Sequence, residues 1–193
     1  MPYGILILVA GLSLLQGCAP LVVGGAVATG FLVSEDRRTV GTMTDDQTIE
    51  VKTSNRIAET LKGDLHVNVT SYNKAVLLTG EVPDDAAKDQ AERISKGVEN
   101  VRIVYNELAV RGVTPISSRT NDSVITSKVK GRFVDGQKFN PIHVKVVTEN
   151  SVVYLLGLVK KQEADAATEI ARTTSGVRKV VRVFEYIDEP VTK

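Results

Sequence analysis

The reactive side chains of this 193-residue chain are few: one cysteine, Cys18, and two histidines, His66 and His143. Cys18 directly follows an apolar run, Ile5 to Leu15, and the pair Gln16-Gly17. Its thiol is the one side chain in the sequence able to carry a thioether-linked lipid; the alternative is a buried Cys in an apolar helix, a common fate for a free thiol. A single Cys excludes an intramolecular disulfide framework and a cysteine-rich zinc site. His66 and His143 occupy matching places in two similar segments, which reads as duplicated architecture and not as a catalytic pair. No nucleophile and base combination, phosphate-loop spacing or zinc-ligand spacing is present, so the reading is that the protein is not an enzyme. Lys and Arg total 24 against 23 Asp and Glu, a balance of +1, which argues against a nucleic-acid partner bound by bulk charge.

The apolar run of 11 residues is too short for a membrane span, which needs about 20, and reads as the core of an export signal. Leu15-Gln16-Gly17-Cys18 resembles the lipobox of bacterial lipoproteins: an aliphatic residue, a tolerated residue, a small residue, then Cys. The resemblance implies cleavage before Cys18 and covalent N-acyl and S-diacylglycerol lipid on it, with no other cofactor. Each buried methylene adds roughly 0.8 kcal/mol, so several acyl chains hold a protein on a bilayer without a transmembrane helix. Ala19 stands where an Asp would resemble an inner-membrane retention signal, which implies an outer-membrane protein facing the periplasm. Met1 to Gly4 carries no Lys or Arg, so the true start is expected upstream.

The elements that follow come twice. Leu65-His66-Val67-Asn68-Val69, a turn at Tyr72-Asn73 and Val76 to Val82 recur, 77 residues on, as Ile142-His143-Val144-Lys145-Val146, Glu149-Asn150 and Val153 to Val159. Alternation places Leu65, Val67 and Val69 on one strand face. An Ala-containing helical segment and a closing strand, Val101 to Val110 or Val180 to Ile187, complete each copy. Ahead of each hairpin lies an amphipathic helix, with Ile49, Thr53, Ile57 and Leu61 on the core side of the first and Ile125, Val129 and Phe133 on that of the second. Each copy therefore reads as two helices on a three-stranded sheet, barely large enough to be stable alone.

Asp45-Asp46 precede Gln47 and are expected to cap the first helix, and Asn121 or Asp122 the second. Arg111 to Ser118 reads as a linker by its Gly, Pro and Ser. The chain thus divides into a leader, 1–17; a lipidated tether, 18–46; a first domain, 47–111; a linker, 112–121; and a second domain, 122–188. Gly80 and Gly157 read as strand geometry or close backbone packing before any ligand role.

Val-Leu-Leu-Thr-Gly-Glu-Val-Pro (76–83), Gly-Val-Glu-Asn-Val (97–101) and Val-Tyr-Asn-Glu-Leu (104–108), with their second-copy counterparts, resemble the BON domain. The resemblance implies an α+β fold of two tandem BON domains, each αββαβ with two helices packed on a three-stranded mixed sheet. It also implies a non-enzymatic lipoprotein of the outer membrane that binds anionic phospholipids such as phosphatidylglycerol and cardiolipin through its second repeat. Support of envelope integrity near the division site is implied as well. An adaptor for envelope assembly proteins is the alternative.

The residues bear on this independently. Residues 47 to 110 hold 8 Lys or Arg and 10 Asp or Glu, net −2, whereas residues 122 to 187 hold 11 and 7, net +4. Each basic side chain near an anionic surface contributes about 1 kcal/mol. In the second repeat's first helix, Val124 is apolar where the first copy is taken to have Lys52, and Lys128, Lys130 and Arg132 lie near the stripe of Ile125 and Val129. In the following hairpin Tyr154, Leu156 and Leu158 oppose the core face, so the sheet is apolar on both sides near Gly157 and must be covered by the first repeat or by lipid. The expected lipid-facing set is therefore Val124, Ile125, Lys128, Val129, Lys130, Arg132, Gly157 and Leu158, with Cys18 as the anchor.

Overall fold

The computed structural model describes residues 35–187; Cys18, the leader, most of the tether and Asp188 lie outside them. Both repeats belong to one compact unit that begins at Arg37. The first comprises α1 (Val40–Thr60), β1 (His66–Tyr72), β2 (Ala75–Val82), α2 (Asp85–Lys96), β3 (Ile103–Asn106) and β4 (Ala109–Val110). The second comprises α3 (Ile116–Gly136), a 3-10 turn (Pro141–His143), β5 (Val144–Glu149), β6 (Val152–Val159), α4 (Lys161–Arg172) and β7 (Lys179–Tyr186). Each sheet is mixed: β1 and β2 pair antiparallel from His66↔Glu81 to Tyr72↔Ala75, and β3 and β4 add to β2 in parallel. In the second sheet β5 and β6 are antiparallel and β7 runs parallel to β6, in the order β5-β6-β7. The fold is α+β, as the repeat pattern implies.

Two boundaries differ from the sequence reading. The first helix starts at Val40, capped by the Thr39 hydroxyl accepting from the Thr42 amide, so residues 40–46 are helix and not tether. The second starts at Ile116 behind Pro115, which moves residues 116–121 out of the linker. Asp46 and Asp122 are therefore not N-caps but buried residues one or two turns inside their helices. Asp46 accepts from the Asn73 and Lys74 amides, at 2.8 and 2.7 Å, and from the Ser71 hydroxyl. Asp122 accepts from the Asn150 and Ser151 amides, both at 2.7 Å. These amides sit at the two hairpin tips, where Asn73, Lys74, Asn150 and Ser151 all have positive φ, the backbone of a two-residue turn whose twist matches its strands. Each carboxylate thus ties a helix to the hairpin below it.

The closing strand of the first repeat is also broken. Between β3 and β4 the chain bulges, and Leu108 is buried in the core while the Asn106 amide donates to the Lys88 carbonyl and to Glu92. Its counterpart, β7, runs uninterrupted for eight residues. Gly80 and Gly157 allow β1 and β5 to come close: a Cβ at either would lie 2.0 Å from the His66 carbonyl oxygen or 2.3 Å from that of His143.

Each repeat has its own core, with Ile49, Ile57, Val76 and Leu78 in the first and Ile125, Val129, Phe133 and Leu155 in the second. A third apolar cluster joins them. Tyr72 and Leu77 from the first sheet meet Tyr154, Leu156, Leu158 and Val183 from the second, so the outer face of β6 is covered by the partner repeat. Burial there pushes the Tyr154 phenol up to about 12. Around this cluster, Asn68 donates to Glu149 at 2.8 Å, Asn73 to Glu185 at 2.9 Å, and Lys145 to Glu50 at 2.8 Å, each pair crossing between repeats.

Removing the Asp46 carboxylate leaves two turn amides and a buried hydroxyl without their acceptor. Asp46→Ala is expected to cost about 2–4 kcal/mol in urea unfolding, against about 0.5 kcal/mol or less for Asp45→Ala, whose partner Lys74 is partly exposed. Burial, reinforced by the charges of Glu81 and Asp122, raises the pKa of Glu149 despite the Asn68 hydrogen bond and nearby His66. A raised carboxyl binds its proton more tightly in the folded state, so its contribution is present at low pH and lost as pH rises through the folded value. Glu149→Gln should therefore raise the melting temperature relative to the parent at about pH 7, with the gain vanishing near about pH 4. Paired thermal melts at the two pH values test this.

Candidate functional site

The exposed side of α3 is built by what its other side must do. Ile125, Val129 and Phe133 recur every four residues and are at most 1% exposed, which anchors the helix over the second sheet. The intervening residues are turned outward. Val124 is 46% exposed, Val134 61% and Ile116 77%, so apolar side chains occur on both sides of this helix. Lys128 and Lys130 are exposed, and neither ammonium is paired among the described residues.

Of the lipid-facing set expected from sequence, the structure leaves Val124, Lys128 and Lys130 exposed, Lys128 one turn from Val124 and Lys130 on the other flank of the outward side. Ile125 and Val129 are core residues and cannot reach a ligand without unfolding the helix. Gly157 is buried at the close approach to β5, and Leu158 is in the cluster between the repeats. Arg132 is exposed at its backbone turn, but its guanidinium donates to the Ile170 carbonyl at 2.9 Å and the Thr174 hydroxyl at 2.8 Å, holding α3 to the end of α4. Arg56 does the same in the first repeat, donating to the Gly97 carbonyl. Arg132 is thus a structural residue. Cys18 lies outside the described residues. Ile116 and Val134 were missed because neither falls on the core stripe; an apolar residue out of phase with that stripe is the signal that marks them.

The matched aspartates also correct the alignment of the two helices. With Asp46 against Asp122 and Ile49 against Ile125, Val124 corresponds to Thr48 and not to Lys52, and Lys52 corresponds to Lys128. Lys52 lies 3.6 Å from Glu99. The turn after the second helix of each repeat matches at the same offset of 76, with the Arg102 and Arg178 amides donating alike to the hairpin tip, so Ser175 stands where the first repeat has Glu99 and Lys128 has lost that neighbouring acid. The arrangement is a shallow apolar strip flanked by uncompensated ammonium groups, suited to a negatively charged, partly apolar surface.

Beside the strip, a groove of about 490 Å³ separates β1 from the first half of α3, lined by His66, Asn68, Arg119, Asp122, Thr126 and Glu149 among others. Most of its polar groups already pair within the protein: Asn68 with Glu149, Thr126 with Thr148 and Asp122 with the turn amides. Among the described residues no group of three or more His, Cys, Asp or Glu is arranged to hold a metal ion, and no helix is long and apolar enough to cross a membrane.

These features have relatives. The BON domain family matches residues 45–112 and 121–188. The chain is 44% identical over 185 residues to the outer membrane lipoprotein DolP of Haemophilus influenzae, covering 94% of this chain and 95% of that protein. It is 34% identical to the 21 kDa hemolysin of Actinobacillus pleuropneumoniae, over 79% of each chain. To the osmotically-inducible protein Y of Escherichia coli it is 30% identical over 79% of this chain and 78% of that one. This kinship sets the chain among non-enzymatic proteins. With two sheet-and-helix repeats, each matched from within its first helix through its last strand, the chain belongs to the BON domain family, as a dual-BON protein similar to DolP.

Proposed function

We propose that the protein is an outer-membrane lipoprotein, anchored by acyl chains on Cys18 and facing the periplasm, whose second BON repeat binds anionic phospholipids through the outer side of α3. Kinship with an outer membrane lipoprotein supports the compartment. The observation that carries the lipid reading is that two unpaired ammonium groups, Lys128 and Lys130, flank the outward side of the helix that exposes Val124, on the repeat of net charge +4. Each contributes about 1 kcal/mol near an anionic surface, which is weak for a free protein and sufficient for one already held at a membrane. Phosphatidylglycerol and cardiolipin supply the charge, and their acyl boundary takes Val124 and Val134. Val124 is a shallower anchor than an interfacial aromatic ring, so electrostatics dominates. Support of envelope integrity near the division site rests on the family resemblance.

The adaptor reading offers an envelope assembly protein either the apolar sheet face or the acidic first repeat; the first repeat already covers the sheet face, which leaves the acidic surface as the one such a partner would use.

In vesicle co-sedimentation, a chain beginning at Ala19 is expected to pellet with vesicles containing phosphatidylglycerol or cardiolipin, more at low than at physiological salt, and not with zwitterionic vesicles. Lys128→Glu with Lys130→Glu should weaken binding by about tenfold or more, since two attractive charges become repulsive. Arg132 is kept, because its loss would disturb the packing of α3 on α4. Equal pelleting of the double variant, or equal binding to zwitterionic vesicles, would overturn the reading.

A further inference from the structure

The two arginines that precede α1 engage different repeats. Arg37 makes a bidentate pair with Glu163, at 2.6 and 2.8 Å, and donates to the Leu158 carbonyl at 2.8 Å. Both acceptors belong to the second repeat, at the end of β6 and the first turn of α4. Glu163 is held by more than Arg37: its carboxylate also accepts from the Lys160 amide at 2.8 Å, which fixes the start of α4, and the His143 ring lies 3.9 Å away. The pair is largely sheltered, with side chains 23% and 16% exposed, and the hydrogen bonds from Arg37 hold the Glu163 carboxyl below its ordinary range against the opposing effect of burial.

Arg38, the next residue, turns to the first repeat. It donates to Asp46 at 2.9 Å, and its guanidinium lies 3.9 Å from the centre of the Tyr72 ring. Asp46 is the carboxylate that holds the first hairpin tip, and Tyr72 belongs to the apolar cluster between the sheets. Two consecutive side chains therefore grip the two halves of the joint.

We infer that Arg37 and Arg38 form a strap that locks the two repeats in their sheet-against-sheet arrangement, so that the segment leading to the tether is itself part of the joint. Bidentate pairing gives the strap direction: a guanidinium bound through two parallel hydrogen bonds and a carbonyl fixes orientation as well as distance. The apolar cluster supplies adhesion between the sheets, which is not directional. The strap adds the register. Displacement of the tether-proximal segment would then be transmitted to both repeats together, and the second repeat would be presented in a single orientation only while Arg37 is seated. This device does not depend on what the outer side of α3 binds.

Hydrogen exchange followed by mass spectrometry on the full lipidated chain in detergent micelles tests the strap. Arg37→Ala should speed exchange about tenfold in β6 and also in β1 and β2, strands that Arg37 does not touch, while α2 stays unchanged. Arg37→Lys, which keeps the charge but not the fork, should fall between the parent and Arg37→Ala. Acceleration confined to the Leu158–Glu163 region, or none in either repeat, would show a local helix-start contact and overturn the inference. Because no lipid binding is read out, failure here leaves the vesicle result standing, and the reverse holds.

Discussion

The rest of the structure depends on one constraint: β6 is apolar on both faces, and neither face can be left in water. Val153, Leu155 and Val159 point to the helices of their own repeat, while Tyr154, Leu156 and Leu158 point away from them. A two-helix layer covers only one side of a sheet. The other side requires a second layer, and the first repeat supplies it with Tyr72 and Leu77. The tandem arrangement is therefore not two independent beads. At fully buried positions each large side chain contributes about 1.5–3 kcal/mol, so the small shared cluster is comparable with the whole stability of a domain this size.

Duplication explains which parts of this were legible in the residues. The strand repeat at an offset of 77 and the four-residue spacing of Ile49, Thr53 and Ile57 are periodic signals, and periodic signals report burial faithfully because each element must bury one side. The need for a cover over Tyr154, Leu156 and Leu158 was visible for the same reason. What was not visible is which cover wins, since an apolar face does not specify its occupant. The helix starts were misread by a different mechanism. An acidic pair ahead of an apolar periodicity looks like a capping signal, but Asp46 and Asp122 sit inside their helices and act across space on the hairpin amides. Their matching offset of 76, one less than that of the strands, was the available clue that they belong with the helices.

The surface site was legible only in part, and the missing part follows from geometry. Charge content separates the repeats without locating a single charge, so Lys128, Lys130 and Arg132 could not be told apart in sequence. Structure separates them by partners: Arg132 is spent on the Ile170 carbonyl and the Thr174 hydroxyl, whereas the two lysines have no acceptor among the described residues. Ile125, Val129, Gly157 and Leu158 are adjacent to the surface in sequence and behind it in space. Arg37 belongs to a segment, Asp36 to Gly41, that carries part of the family resemblance, but nothing in an Arg-Arg pair within a polar stretch says that it reaches the second repeat.

The two repeats share a fold and differ in how they dispose of charge, and the proposed lipid-facing strip lies where they differ. In the first repeat the basic groups are largely neutralised: Lys52 faces Glu99, Arg111 reaches buried Glu81, and Lys74 pairs with Asp45. Hydrogen bonds from Arg111 and Thr114 hold Glu81 below the ordinary carboxylate range even though burial acts in the opposite direction. In the second, Ser175 in place of Glu99 and Val124 in place of a threonine leave an uncompensated strip on a helix whose inner side stays buried. Neither substitution touches the core or the joint, so the duplicated scaffold could tolerate both without a stability penalty beyond a few tenths of a kcal/mol. The second repeat was free to diverge at its surface because the first repeat, through the shared cluster, carries the burial that β6 demands.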